Sequence, residues 1–309
     1  MGALGQPVGV SPTAAELLRQ LDVGAGGISV EELPHNRWLS PGVWRIEIDD
    51  GPPAVLKYTS AERPRGETAW EAHWTAGDHD PSRWTFWCRE PLAYQSDGPG
   101  LYAAGGLMAP PCLGVQVGNS EAVLLLEWVQ GDPGEVWSVE SYAPAAGALG
   151  RVQAPFLTGQ SLPLVPWLSR SFLRHYSSEK PVNWDLLYDD EAWSHPVVRE
   201  TFPPGLREAV TVVRAERERL WVVNESLPRT LCHLDCWPKN LIRQLSGQIT
   251  LLDWSLVGEG PSAKMSGTSS PTPRSTTSFQ PRTWLTSKRL YSTATCGASE
   301  KQAGMTTPG

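Results

Sequence analysis

Short runs in which apolar and polar positions alternate fill the first part of the chain, and helical spacing takes over later. Residues 28–33, 43–48 and 54–58 are β-branched or alternating runs. Turn signals at Pro41-Gly42 and Asp49-Asp50-Gly51-Pro52 separate them, so three strands are predicted. Residues 112–117 and 122–129 predict two more, completing a five-stranded sheet. Residues 14–21 suit a short amphipathic helix. Residues 82–95 place Trp84, Trp87 and Leu92 on one helical stripe, with Pro91 predicting a kink because it removes a donor. Beyond Asp132 the pattern is mainly helical, over 135–156 and over 205–223. In the second, Leu206, Val210, Val213, Arg217 and Leu220 mark one face. Residues 161–204 between them are rich in Trp, Pro and acids, and no internal repeat is visible.

One stretch carries chemistry. Leu231-Cys232-His233-Leu234-Asp235-Cys236-Trp237-Pro238-Lys239-Asn240 reads as a strand and a polar loop. Ile249-Thr250-Leu251-Leu252-Asp253-Trp254 reads as an apolar strand ending in an acid. A carboxylate five residues ahead of an amide, with a second carboxylate across a hairpin, suits Mg-dependent phosphoryl transfer. Asp235 would accept a hydroxyl proton, while Asn240 and Asp253 would supply the hard oxygen ligands that Mg²⁺ prefers. The plainer alternative makes His233 a packed core residue and the acids surface groups. A zinc site from Cys232, His233 and Cys236 is disfavoured, because no second Cys or His pair lies at finger-like spacing.

The stretch resembles the H-x-D-x-x-x-x-N motif and following I-D-W segment of the aminoglycoside phosphotransferase and choline kinase family, relatives of protein kinases. His233, Asp235, Pro238, Asn240 and Asp253-Trp254 carry the likeness. Protein kinases would have Arg at Leu234 and Lys at Trp237, which argues against a protein substrate. The resemblance covers about residues 25–261 and implies an α+β, bilobal protein-kinase-like fold. Its parts would be an N-lobe over 1–126 with a five-stranded sheet, a hinge over 127–131, and a mainly helical C-lobe with the catalytic hairpin over 132–261. It also implies ATP and Mg²⁺ as cofactors. Lys57, on the third strand, would contact nucleotide phosphates, steadied by Glu90, with Glu71 as the fallback partner. The Glu127 carbonyl and Val129 amide would bond adenine, and His233 would brace the loop by hydrogen bonding. The segment 35–44 has a single glycine, Gly42, and is not a G-x-G-x-x-G loop.

Composition sharpens this reading. The chain has 309 residues and 40% apolar content, ample for one large or two intimate domains. Five irregularly spaced cysteines predict free thiols in a reducing compartment. The start lacks a basic and apolar leader, Gln6 spoils a myristoylation pattern, and no apolar run spans a bilayer, so a cytoplasmic protein without membrane partners is expected. Net charge is −7, but residues 262–309 alone carry +5, leaving −12 on the body. An acidic body disfavours nucleic acid and suits a small-molecule alcohol, cationic or neutral. The mixture of Trp and acids over 161–204, including Asp189, Asp190 and Glu191, is expected to line the acceptor pocket.

Residues 262–309 break from the rest. Asp vanishes and Ser plus Thr make up about 40%, with no apolar periodicity, so a disordered tail is expected. The segment Pro261-Ser262-Ala263-Lys264-Met265-Ser266-Gly267-Thr268 can be written CCG TCG GCG AAG ATG TCG GGA ACC. One base restored after the first codon turns it into Pro, an apolar residue, then Gly-Glu-Asp-Val-Gly-Asn. The far end, 291–304, admits Phe-Asp-Gly-Tyr-Leu-Arg-Gly-Leu-Arg-Glu-Ala-Gly-Trp, an amphipathic helix. The tail therefore reads as a shifted frame, with a natural Ser/Thr-rich tail as the alternative. A shifted tail would leave C-lobe core exposed and lower stability and activity.

Overall fold

The computed structural model describes residues 13–21, 27–34, 40–49, 51–62, 79–179 and 182–261. Glu71 and the tail beyond Pro261 lie outside them. The chain opens with helix α1 (Ala14–Gln20), started by a capping box. Thr13 Oγ1 accepts from the Glu16 N–H, and the Glu16 carboxylate accepts from the Thr13 N–H at 2.7 Å. Strands β1 (Ile28–Glu32), β2 (Gly42–Ile48) and β3 (Ala54–Ser60) follow. Helix α2 (Arg89–Gln95), helix α3 (Gly100–Ala103), strand β4 (Leu107–Met108), strand β5 (Cys112–Val117) and strand β6 (Glu121–Glu127) come next.

The expected five-stranded sheet forms, antiparallel in the order β1-β2-β3-β6-β5. Its two faces separate by strand alternation. Ile46, Ala54, Leu56, Tyr58, Val123 and Leu125 turn to one side, where Leu17 and Leu18 of α1 close a small core. Val55 and Lys57 turn to the other.

Strand β7 (Asp132–Pro133) leads into helix α4 (Ala143–Leu157), helix α5 (Phe172–Glu179), helix α6 (Asp190–Ser194) and helix α7 (Pro196–Thr201). Helices α8 (Leu206–Ala215) and α9 (Arg217–Ser226) precede β8 (Arg229–Cys232). Strands β9 (Leu241–Arg243) and β10 (Ile249–Leu251) form the hairpin, and β11 (Gly258–Pro261) returns to pair with β8. A second sheet has the order β4-β10-β9-β7. The main core joins Trp84, Trp87 and Tyr102 to Leu149, Leu231 and Trp254, so both halves share one apolar interior.

Three expectations need correction. The helix expected over 82–95 begins only at Arg89. The carbonyls of Pro81, Arg83 and Trp84 are turned to the Arg89 guanidinium, and only a single-turn bond, from the Phe86 N–H to the Arg83 carbonyl, is made there. Pro91 then falls in the first turn, where the missing N–H has no intrahelical partner to lose, so no kink results. The helix expected over 135–156 starts at Ala143, after two 3-10 turns at Gly134–Val136 and Glu140–Tyr142. The helix expected over 205–223 is two helices, broken at Glu216 (φ −87°, ψ 5°). Of its expected apolar face, Leu206 and Val210 are half-buried, while Val213 and Leu220 are 58% and 40% exposed.

Candidate active site

The site grows from backbone geometry at two places. After β8 the chain turns sharply, and Leu234 takes φ +66°, the left-handed region that a branched residue adopts only when its surroundings force it. Leu234 is buried and acts as the anchor, so the next residue, Asp235, is held half-exposed at the lip of the loop. A 3-10 turn at Pro238–Asn240 then brings Asn240 back. Its Nδ2 donates to the Asp235 carbonyl and to Asp235 Oδ2, both at 2.9 Å. Asn240 thereby fixes the Asp235 carboxylate with its amide nitrogen and keeps its amide oxygen as an acceptor.

The hairpin supplies the third group. β9 and β10 pair with Leu251 opposite Leu241, and the Leu252 N–H extends the ladder by donating to the Asn240 carbonyl at 2.8 Å. Asp253 therefore emerges beside Asn240. It too is left-handed, φ +59°. The Ser255 N–H donates to its Oδ1 at 3.4 Å.

Lys57 joins the two halves. Its ammonium bonds Glu90 Oε2 and lies 3.6 Å from Asp253 Oδ1. Burial alone would lower the Lys57 pKa, but the charges of Asp253 and Glu90 raise it above the usual lysine value, so it stays protonated. Burial pushes the Glu90 carboxyl up while Lys57 pulls it back. For Asp253, burial would raise the pKa, yet Lys57 and the Ser255 hydrogen bonds hold it below the usual carboxylate range. The Asp253 side chain is still 41% exposed and open to a ligand. The second oxygen of Glu90 accepts from the Trp254 N–H at 3.2 Å, tying α2 to the segment after Asp253.

His233 is fully buried. Burial pushes its pKa down to about 4, against Asp253 and a hydrogen bond with the Leu252 backbone, so the ring is neutral. It stands edge-on to Trp254, ring centroids 5.0 Å apart, and Trp254 stands edge-on to Tyr102 at 4.7 Å. Glu127 closes β6 and Val129 follows in the link to β7. The Glu127 N–H donates to the Pro111 carbonyl and the Trp128 N–H to the Pro53 carbonyl, both at 2.9 Å.

Sequence reading missed Arg89, which is fully buried. Its guanidinium donates to the carbonyls of Trp167 (2.8 Å), Trp84 (3.0 Å), Ser255 (3.1 Å), Pro81 (2.9 Å) and Arg83. One side chain thus clamps the start of α2 to the segment that follows Asp253. Its only sequence signal was adjacency to Glu90. In the acidic span, Asp189 caps α6 by accepting from the Glu191 and Ala192 N–H groups, and Asp190 pairs with Arg207.

No three His, Cys, Asp or Glu residues converge as a metal-binding group among the described residues. The donor set is instead one amide oxygen, Asn240, and one carboxylate, Asp253. That fits Mg²⁺, which usually takes one or two protein oxygens and completes its shell with water and phosphate.

A five-stranded sheet with a lysine–helix glutamate pair, above a hairpin presenting an aspartate, an asparagine and a second aspartate, defines a kinase-like phosphotransferase fold. The sequence profile of the phosphotransferase enzyme family matches residues 31–263, and the chain belongs to that family. A search of curated proteins finds no match. Among solved structures the fold is similar to aminoglycoside phosphotransferase APH(3'')-Id from Streptomyces rimosus ATCC10970. The identity is 18%, coverage is 90% of this chain and 89% of that one, and the TM-score is 0.50. The same protein with ADP and streptomycin gives 19% identity, the same coverages and a TM-score of 0.52. The amicoumacin kinase hAmiN in complex with AMP-PNP, Ca²⁺ and Ami gives 13% identity, coverage of 88% of this chain and 72% of that one, and a TM-score of 0.46.

Proposed function

We propose that the chain transfers the γ-phosphoryl group of ATP to a hydroxyl of a small molecule in the cytoplasm. The observation that carries this is the convergence of Asp235, Asn240 and Asp253, with Lys57 bridging Glu90 and Asp253. Asp235, aligned by the Asn240 amide, takes the acceptor's proton as its oxygen bonds to the γ-phosphorus. The bond to the ADP oxygen breaks, and Lys57 balances charge on the phosphates. Asn240 and Asp253 hold Mg²⁺, which when bound neutralises the phosphate charge. Trp128's N–H is turned to Pro53, so strand alternation sends the Glu127 carbonyl and Val129 N–H to the opposite edge, suited to adenine. His233, neutral and buried, braces the loop.

An antibiotic such as an aminoglycoside, an amino alcohol or a sugar is the acceptor class. Membership of the phosphotransferase family and the fold likeness to a protein solved with ADP and streptomycin support that class. Phosphorylation assays with Mg·ATP against such a panel test the reading, and a chain that binds nucleotide without turnover would be a catalytically dead relative instead.

A sharper expectation concerns Asp253. Asp253→Ala should weaken Mg·ATP by at least about tenfold, the scale on which even outer partners of metal ligands matter, and weaken metal-free ATP far less. Isothermal calorimetry with and without Mg²⁺ reads this. Equal losses for both forms would return Asp253 to a structural role.

A further inference from the structure

The sheet face that carries Lys57 also carries a second cation with no place in the mechanism above. Register sets Val43 opposite Lys57, and Arg45 opposite Val55, in the β2–β3 pair. In the β3–β6 pair it sets Lys57 opposite Leu124, and Val55 opposite Leu126. Directly paired residues share a face, so Arg45, Val55 and Leu126 all lie on the Lys57 side, away from the α1 core. Trp128, two residues beyond Leu126, continues that face. The contact agrees: the Arg45 guanidinium carbon sits 4.6 Å from the Trp128 ring centroid.

The arginine is held and yet incompletely used. One terminal nitrogen pairs with Glu47, while Nε is buried with no hydrogen-bond partner. A planar cation with one face on an indole has its other face to offer. Its neighbour Val55 lies two residues toward the sheet edge from Lys57, about 7 Å along the strand. In the reading above Lys57 meets the phosphates and the 127–129 segment meets the base edge, and Arg45, on the Lys57 face and against Trp128, borders the space between them. Gly131 holds the link close to the hairpin: a Cβ there would come within 2.3 Å of the Arg243 carbonyl oxygen, so the link is pressed onto β9, directly after Asn240.

We propose that Arg45, braced by Trp128, is a base-binding residue whose guanidinium stacks on the face of the nucleotide's purine. A guanidinium is weakly hydrated and planar, so it stacks on a flat π-system where a lysine ammonium cannot. The proposal rests on the reading of this face as the nucleotide site.

The test compares a ligand with a base to one without. Calorimetry on the full chain would measure Mg·ATP and Mg·tripolyphosphate binding to wild type, Arg45→Met and Arg45→Lys. Arg45→Met should weaken ATP by about fivefold to tenfold, between the values of an exposed and a fully desolvated cation–π contact, and leave tripolyphosphate unchanged. Arg45→Lys should recover only part of the loss. Unchanged ATP affinity in Arg45→Met overturns the inference, and so does an equal loss for both ligands, which would make Arg45 a phosphate contact. Wild type that binds neither ligand overturns the nucleotide-site reading itself, a result distinct from the other two.

Discussion

Asp235→Asn should lower kcat by at least about a hundredfold, the usual contribution of a positioned general base, with little change in ATP affinity. The substitution keeps size and shape and removes only the ability to take a proton. The loop should survive it. Leu234 anchors the turn from the buried side, and Asn240 also bonds the Asp235 backbone carbonyl, which the substitution leaves in place. A new side-chain carbonyl at position 235 still accepts from the Asn240 amide. Single-turnover assays beside nucleotide calorimetry separate chemistry from binding. Near-normal turnover would remove Asp235 from the mechanism.

Restoring one base after the Pro261 codon should raise the melting temperature by on the order of 10 °C and speed turnover. Helices α7 to α9 and the cap residue Leu227 expose Val197 (61%), Val212 (61%), Val213 (58%), Val222 (67%), Val223 (49%) and Leu227 (41%) in one stretch of chain. Solvent-facing apolar residues are ordinary when scattered, but a concentrated set marks a surface that something covers. Each side chain buried is worth about 1.5–3 kcal/mol before entropy is subtracted, and about 1 kcal/mol moves the melting point of a domain this size by about 2–4 °C. A restored frame would admit an amphipathic helical pattern over 291–304 that the sequence as it stands does not carry. Sequencing the gene and melting both proteins decides it. The account fails if no single-base restoration gives an open frame with apolar helical periodicity, or if the repaired protein melts no higher.

Much of the fold was legible because its signals are local. Alternation and turn residues predicted each strand of the five-stranded sheet to within two residues, since turn residues bound the runs and one face packs on the α1 core. The loop from His233 to Asn240 and the Asp253 strand end were readable because their chemistry is concentrated in two short stretches. What escaped depends on distant parts of the chain. Arg89 draws in carbonyls from Pro81 to Ser255, and no periodicity records that. The same clamp shortened the helix expected over 82–95. Helical spacing over 205–223 was real, but it could not show a break at Glu216 or that Val213 and Leu220 on the apolar face are exposed. Likewise the sequence could not show that Asp189 caps a helix or that Asp190 pairs with Arg207, since both partners are set by the fold.

The central claim is phosphoryl transfer to a small alcohol, and one measurement meets it most directly. Release of ADP from Mg·ATP would be followed for this chain and its frame-restored form across aminoglycosides, macrolides, amino alcohols and sugars, each with an Asp235→Asn control. The account predicts acceptor-dependent ADP release in the restored form, less in this chain, and none above background in either control. Nucleotide binding by the restored form with no acceptor-dependent turnover, or turnover that survives in the controls, would contradict it.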